Sequence, residues 1–176
     1  MRYQFDVRMD DKDYLDFNIF SAMKAPSGKA QMTKTRVLMA VMFLIPIGLY
    51  AINKDVTGMV SLSLIGLVFQ LLLNPMTKLS VKSTLKTMKK KGKMPYTPEC
   101  VMEFYDDYFV EITPETRNEV KYSMIERVSV IEDKAIYIHV NTIMAYIVPR
   151  SCFYRDEEVA SFIEFIRPRC ENIYFY

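Results

Sequence analysis

Two long apolar runs in the first half of the chain constrain its fold more than any other feature. No charged side chain occurs in residues 37–53 or 56–77, and only Lys54 and Asp55 separate the two runs. A helix needs about 20 apolar residues, with a range of roughly 17–25, to cross a bilayer. The run VTGMVSLSLIGLVFQLLL, at 56–73, meets this length alone. The run at 37–52 meets it if the polar residues at its ends lie at the membrane interfaces.

The pattern within both runs favours a transmembrane hairpin, with helices at 37–53 and 56–73, over a buried helix pair of a soluble protein. A soluble helix shows a polar face at a period of 3.6 residues, and neither run has one. The short link makes the two helices antiparallel neighbours. Ser63, Gly66 and Gln70 share one face of the second helix, and such residues favour helix contacts in lipid. We expect this face to pack on the first helix, with a dimer contact as the alternative.

The distribution of basic residues predicts the orientation of this hairpin. Four basic residues and no acidic one lie at 24–36, and seven lysines follow the second run, whereas the tip at 53–55 carries one charge of each sign. Flanks rich in Lys and Arg stay on the cytoplasmic side of a membrane, so both termini are expected in the cytoplasm. The first run begins too late for a signal peptide. Three cysteines without a C-x-x-C pair fit the same reducing compartment.

A basic juxtamembrane stem follows the hairpin at 74–95, and we call it the lysine segment. Its lysines are Lys78, Lys82, Lys86, Lys89, Lys90, Lys91 and Lys93. The first three, with Lys89 or Lys90, recur about every four residues along one helical stripe. One interpretation is a helix that contacts anionic lipid. The other is a topology signal on a solvated helix end, which we favour, although the two roles are compatible. Nucleic-acid binding is not expected, because no aromatic residue is interleaved and residues 99–176 carry a net charge of −7.

From residue 96 the apolar period changes to two, which predicts short antiparallel strands. Candidate strands lie at 100–107, 107–113, 119–132, 135–140 and 143–148, with a turn at Asn141-Thr142 and a possible helical turn at 124–128. An apolar stripe at Val159, Phe162, Ile163 and Ile166 predicts a closing helix that Asp156 caps. We therefore expect an α+β membrane protein whose β domain, at 96–176, resembles pleckstrin-homology-like domains in outline.

The N-terminal part, residues 1–36, has a strand and a helix of its own. The stretch RYQFDVRM at 2–9 alternates apolar and polar residues, and DDKDYLDFNIFSAMK at 10–24 has the pattern of a capped helix. A lone strand is not stable. Because both ends of the hairpin are expected on the same side, we predict that this strand joins the sheet of the C-terminal domain.

The order of these segments resembles the YcxB-like family of bacterial membrane proteins. The resemblance is sharpest in VKYSMIERV at 120–128 and YIVPRSCF at 146–153, where Tyr122, Pro149, Arg150 and Phe153 stand at motif positions. Tyr122 replaces an expected tryptophan. The resemblance implies a multi-pass integral protein of the bacterial cell membrane with a cytoplasmic domain. It brings no known activity, cofactor or catalytic residue.

The residues themselves offer little chemistry. His139 is interpreted as a half-buried polar contact, and Cys152 as a small core residue despite the nearby Arg150. The acidic pairs Asp106-Asp107 and Glu132-Asp133 are interpreted as turns. Arg150 is expected to contact a carboxylate at the start of the last helix. We therefore predict no catalytic residue, no metal site and no cofactor, and we do not expect an enzyme.

Two classes of function fit this sequence. In the first, the protein is a membrane-anchored binding or scaffold module that docks a protein partner at the inner face of the bacterial membrane. In the second, it is an accessory or regulatory subunit of a transport or signalling complex and acts through its hairpin. A phospholipid-sensing module is a further alternative, with the bilayer itself as the partner.

Overall fold

The structure, a computed structural model, describes residues 1–141 and 144–176. It divides into two compact units. The first, which we call the sheet unit, comprises Met1–Phe17 and Met94–Tyr176, and the second, the hairpin unit, comprises Asn18–Lys93. The predicted turn at Asn141-Thr142 and the predicted start of the following strand at Ile143 lie partly outside the described residues.

Two long helices dominate the hairpin unit. Helix α1 spans Asp11–Met23 and divides between the two units, α2 spans Pro26–Ile52, and α3 spans Val56–Lys90. The three-residue link contains Lys54 in the left-handed conformation, and the Asp55 side chain caps α3 by accepting a hydrogen bond from the Gly58 N–H at 3.0 Å. The helix α3 continues without a break from the apolar run through most of the lysine segment. It ends at a cap on Lys91, followed by Gly92 at a φ of +69°.

The contact between α2 and α3 uses the small and polar face predicted for the second helix. The Gln70 side chain donates to the Arg36 carbonyl at 2.9 Å. A Cβ on Gly66 would lie 3.0 Å from Cγ of Phe43, so the absence of a side chain lets the two helices approach. The predicted packing of this face on the first helix is confirmed.

Among the described residues, the sheet unit contains eight strands in two four-stranded sheets. The strands are β1 Tyr3–Arg8, β2 Glu99–Phe104, β3 Tyr108–Ile112, β4 Arg117–Lys121, β5 Arg127–Ile131, β6 Ala135–His139, β7 Ala145–Pro149 and β8 Ile173–Phe175. One sheet has the order β1-β2-β3-β4, and the other has the order β7-β6-β5-β8. The strand β1 pairs antiparallel with β2 from Tyr3–Phe104 to Arg8–Glu99. The prediction that the N-terminal strand joins the C-terminal domain is confirmed.

One helix closes the core of this unit. Helix α4 spans Asp156–Ile166, and its apolar stripe packs against residues of both sheets. Phe162 is completely buried, and its ring lies 5.0 Å from that of Phe5 in β1 and 4.8 Å from that of Phe104 in β2. The first half of α1 also lies on this unit, through the Lys134–Asp16 ion pair and a hydrogen bond from the Tyr96 hydroxyl to Asp11. The α+β class with a mainly antiparallel sheet is confirmed.

Three local predictions need correction. The chain does not close with a helix, because β8 follows α4 and pairs parallel with β5. The helical turn is a 3₁₀ turn at Tyr122–Met124, ahead of the predicted position. Asp156 does not cap α4, because the cap position falls on Arg155 and no side chain bonds there. The carboxylate of Asp156 is instead drawn to Arg150, whose charge offers a stronger partner than a backbone N–H.

Candidate functional site

The apolar sections of α2 and α3 have the dimensions of a membrane hairpin. Both helices are long and apolar enough to cross a membrane, and almost none of the apolar stretch of either helix is buried. At 1.5 Å per residue, residues 37–52 span roughly 24 Å and residues 56–73 roughly 27 Å. A hydrocarbon core is about 30 Å thick, and side chains that extend to the interface absorb such a shortfall.

A polar contact marks one boundary of this apolar section. The guanidinium of Arg36 donates to Oδ1 of Asn74 at 3.0 Å. The apolar section of α2 therefore begins at the same level along the helix pair at which the apolar section of α3 ends. Beyond this level the two helices stay together, because the Thr77 hydroxyl lies 3.7 Å from Sδ of Met32. The two helices therefore remain packed against each other on the polar side of this boundary.

The lysine segment presents its charges to solvent. All seven of its lysines are exposed, and Lys78, Lys82 and Lys86 follow one another at single-turn intervals along α3. Measured along the helix from Asn74, Lys78 lies roughly 6 Å away and Lys90 roughly 24 Å away. The segment thus extends well beyond the polar boundary at Arg36.

Tyr122, from the first family-like motif, lies in the core of the sheet unit. It is buried, and its hydroxyl donates to the Tyr105 carbonyl at 2.8 Å. Its ring is close to those of Phe109 and Phe165. These contacts hold the 3₁₀ turn that follows β4, and they leave Tyr122 only 5% exposed.

The second family-like motif connects β7 to α4. Pro149 ends β7 and Phe153 is buried, with its ring 4.8 Å from that of Phe5. Arg150 forms an ion pair with Asp156 and donates to the Phe153 carbonyl at 2.8 Å. The predicted contact between Arg150 and a carboxylate at the start of the last helix is confirmed.

An acidic clamp that the sequence did not predict joins three distant segments. Asp106, in the turn after β2, lies 3.1 Å from Nε of Arg2 and 3.2 Å from Nη2 of Arg169. The hydrogen bond from Arg2 and the positive charge of both arginines lower the pKa of Asp106. The guanidinium of Arg169 also lies 4.0 Å above the ring of Phe165. No local pattern signals this clamp, since its members are more than 60 residues apart in sequence.

Polar side chains line the face of the second sheet that points away from α4. Arg127 in β5 is paired with His139 in β6, and both are buried. Nη2 of Arg127 lies 3.5 Å from Nδ1 of His139, and the ring of Phe17 lies 6.1 Å from the imidazole. Burial, with the charge of Arg127, lowers the pKa of His139 to about 4. The imidazole is therefore fully buried rather than half-buried as predicted, and it is neutral near pH 7.

The three cysteines are free thiols in shielded surroundings. Burial raises the pKa of Cys100 and of Cys170 to about 11, and that of Cys152 to about 12. Arg150 points toward Asp156 and does not activate Cys152. Within residues 1–141 and 144–176, no three His, Cys, Asp or Glu side chains lie close enough together to hold a metal ion.

An open groove lies between α4 and the end of the second sheet, and we call it the α4 groove. Its volume is about 590 Å³, within the range of ligand sites. Its floor and walls are mostly apolar, and they include Val130, Ile136, Phe153, Val159, Ile163 and Phe175. Its rim carries Glu132, Asp133, Asp156 and Arg150. The sequence did not predict it, since its residues come from β5, β6, β8, α4 and the connection between β7 and α4.

These features define an α+β protein with two helices able to cross a membrane and a small domain of two sheets whose shared core is covered by a helix. Residues 104–166, from the end of β2 to the end of α4, match the model of the family described as YcxB-like protein. The predicted resemblance of the C-terminal domain to this family is therefore confirmed. No curated protein and no solved structure matches the chain.

Proposed function

We propose that this protein is a membrane-anchored binding module whose sheet unit docks a protein partner at the inner face of the bacterial cell membrane. The observation that carries the proposal is the exposed apolar hairpin with a polar boundary at Arg36 and Asn74. Such a surface is costly in water and favourable in lipid. The basic flanks at this boundary favour a cytoplasmic position for both termini.

The charge of the sheet unit supports a protein partner more than a lipid one. Residues 99–176 carry a net charge of −7, which an anionic bilayer surface repels. Three of the arginines that a headgroup phosphate would need are already paired: Arg127 with Glu126, Arg150 with Asp156, and Arg169 with Asp106. Lipid contact is therefore assigned to the lysine segment.

Distance limits which lysines meet the lipid. The surface field of a membrane falls off within a Debye length of about 8 Å at physiological ionic strength. Lys78 lies roughly 6 Å beyond Asn74 along α3 and Lys82 roughly 12 Å, whereas Lys86 lies roughly 18 Å away. We expect a variant with glutamine at the first two positions to lose more attraction to anionic vesicles than one with glutamine at Lys86 and Lys90. Equal loss would mean that the segment lies flat on the surface.

Membrane insertion and orientation are tested together. The full-length protein is expected to stay in the membrane pellet after an alkaline carbonate wash. A cysteine at Asn53 is expected to react with an impermeant thiol reagent in intact cells. The native thiols are shielded in the fold, so the cytoplasmic control is Tyr154→Cys, whose parent side chain is 94% exposed. It should react only after permeabilisation, and the reverse labelling pattern would contradict the proposed orientation.

The alternative is an accessory subunit that acts through its hairpin, and it is favoured by the wholly exposed outer faces of α2 and α3. Replacement of residues 37–73 by an unrelated two-helix hairpin separates the two functions. A partner retained after this exchange supports docking by the sheet unit. A partner lost with the native hairpin supports the accessory subunit.

A further inference from the structure

The α4 groove has both the shape and the charge of a peptide-docking site. It opens between α4 and the turn that joins β5 to β6, and Phe175 of β8 forms part of its wall while remaining 61% exposed. An aromatic side chain this exposed beside an open apolar groove is typical of an interaction surface.

The charge at the rim of the groove is negative. Glu132, Asp133 and Asp156 contribute three carboxylates against one arginine, Arg150. This arginine is held by Asp156 and by the Phe153 carbonyl. Lys134, the basic residue of the same turn, is drawn away to Asp16 at 3.0 Å. In the part of the chain that the structure describes, Glu132 and Asp133 are not in an ion pair, so their charges face whatever enters the groove.

We infer that the α4 groove binds a short protein segment that places apolar side chains in the groove and basic residues against Glu132 and Asp133. This inference rests on the proposed function, because it names the surface by which the sheet unit docks its partner. The apolar floor supplies contact area, and the acidic rim selects partners of opposite charge and rejects acidic ones.

The first test measures binding of designed peptides to the full-length protein in bilayer discs of neutral phosphatidylcholine, which keep detergent out of the groove. The probes are fluorescent peptides with a Leu-Phe-Leu centre flanked by lysines, by serines or by glutamates. Fluorescence anisotropy is expected to show binding about tenfold tighter for the lysine-flanked peptide than for the glutamate-flanked one. Equal affinity for the two would overturn the inference.

Two matched variants locate the binding. Ala160 is exposed and lines the groove, and its neighbour Ser161 is exposed and does not. Ala160→Arg is expected to weaken binding of the lysine-flanked peptide roughly tenfold, because the new side chain fills the groove and repels the basic residues of the peptide. Ser161→Arg changes the net charge equally and is expected to leave binding unchanged. Loss in both variants would show attraction to net charge rather than to the groove.

A variant of the rim isolates its charge. In Asp133→Asn with Glu132→Gln, both carboxylates become amides of the same shape, and asparagine tolerates the φ of 57° found at position 133. The preference for lysine over serine flanks is expected to disappear, while binding of the serine-flanked peptide persists. A retained preference would overturn the assignment of the acidic rim.

Photo-crosslinking in living cells separates this inference from the proposed function. Benzoylphenylalanine replaces Phe175 at the groove or, in a second strain, Glu119 on the exposed β4. Crosslinks at position 175 that the rim variant abolishes support the groove. Crosslinks only at position 119 would leave partner docking in place and refute the groove. Absence of crosslinks at both positions would contradict both.

Discussion

The buried His139 is expected to make the sheet unit sensitive to acid. Burial and the nearby Arg127 lower its folded-state pKa from the ordinary value of 6.5 to about 4. Below pH 6.5 the unfolded chain binds a proton at this position that the folded protein does not accept until about pH 4. The stability that the neutral imidazole contributes is therefore complete above pH 6.5 and is lost as the pH falls toward 4.

The size of this effect follows from the shift. The full difference of about 2.5 pKa units corresponds to roughly 3 kcal/mol, and about 2 kcal/mol of it is already lost near pH 5. The sheet unit has about 100 residues. For a domain of that size, such a loss lowers the melting temperature by roughly 8–16 °C.

The assay compares the full-length protein with the variant His139→Gln in neutral detergent. Near-UV circular dichroism of the tyrosines reports melting of the sheet unit at about pH 7.5 and at about pH 5. The carboxylates titrate in both proteins, so the difference between the two losses of melting temperature on acidification isolates the contribution of His139. We expect the variant to lose much less stability on acidification than the parent. Equal losses would refute the assigned position of the imidazole beside Arg127.

Three further predictions test the packing of each unit. Phe162→Ala, at the centre of the core, is expected to cost about 3–5 kcal/mol of stability, measured by thermal melting. Gly66→Leu is expected to destabilise the hairpin, because a side chain there meets the ring of Phe43, whereas the control Gly48→Leu has open space. The measurement is resistance to thermal aggregation in detergent, and equal effects of the two substitutions would contradict this packing. Val7→Asp is expected to release β1 from the sheet, because it would bury a charge in the core. Gln4→Asp, on the exposed side of the strand, is expected to leave β1 in place. Limited proteolysis of the N-terminus distinguishes a released strand from a paired one.

Local patterns were sufficient for several elements of this fold. Charge-free runs specify the apolar sections of α2 and α3, because an apolar side chain is unfavourable in water whatever its neighbours are. Alternation with a period of two specifies β1, β2 and β3, and the stripe at 3.6 residues specifies α4, because each period matches the geometry of its backbone. The predicted strand at 119–132 is instead two strands of different sheets, β4 and β5, because the 3₁₀ turn at Tyr122–Met124 interrupts it. The partner of β1 was predictable in kind, since a strand needs a sheet, although its register against β2 was not.

The tertiary structure decided the features that depend on residues far apart in the chain. The strand β8 is three residues long and pairs in parallel with β5, so its sequence carries no signal that specifies its position. Asp156 at the start of α4 has the local pattern of a cap, but the fold brings Arg150 within reach, and a charged partner outweighs a backbone one. The burial of His139 and the α4 groove likewise arise from surfaces of separate elements that meet only after folding. The period of apolar residues along the sequence indicates which face of a helix or strand is apolar. Only the tertiary fold determines which residues that face contacts.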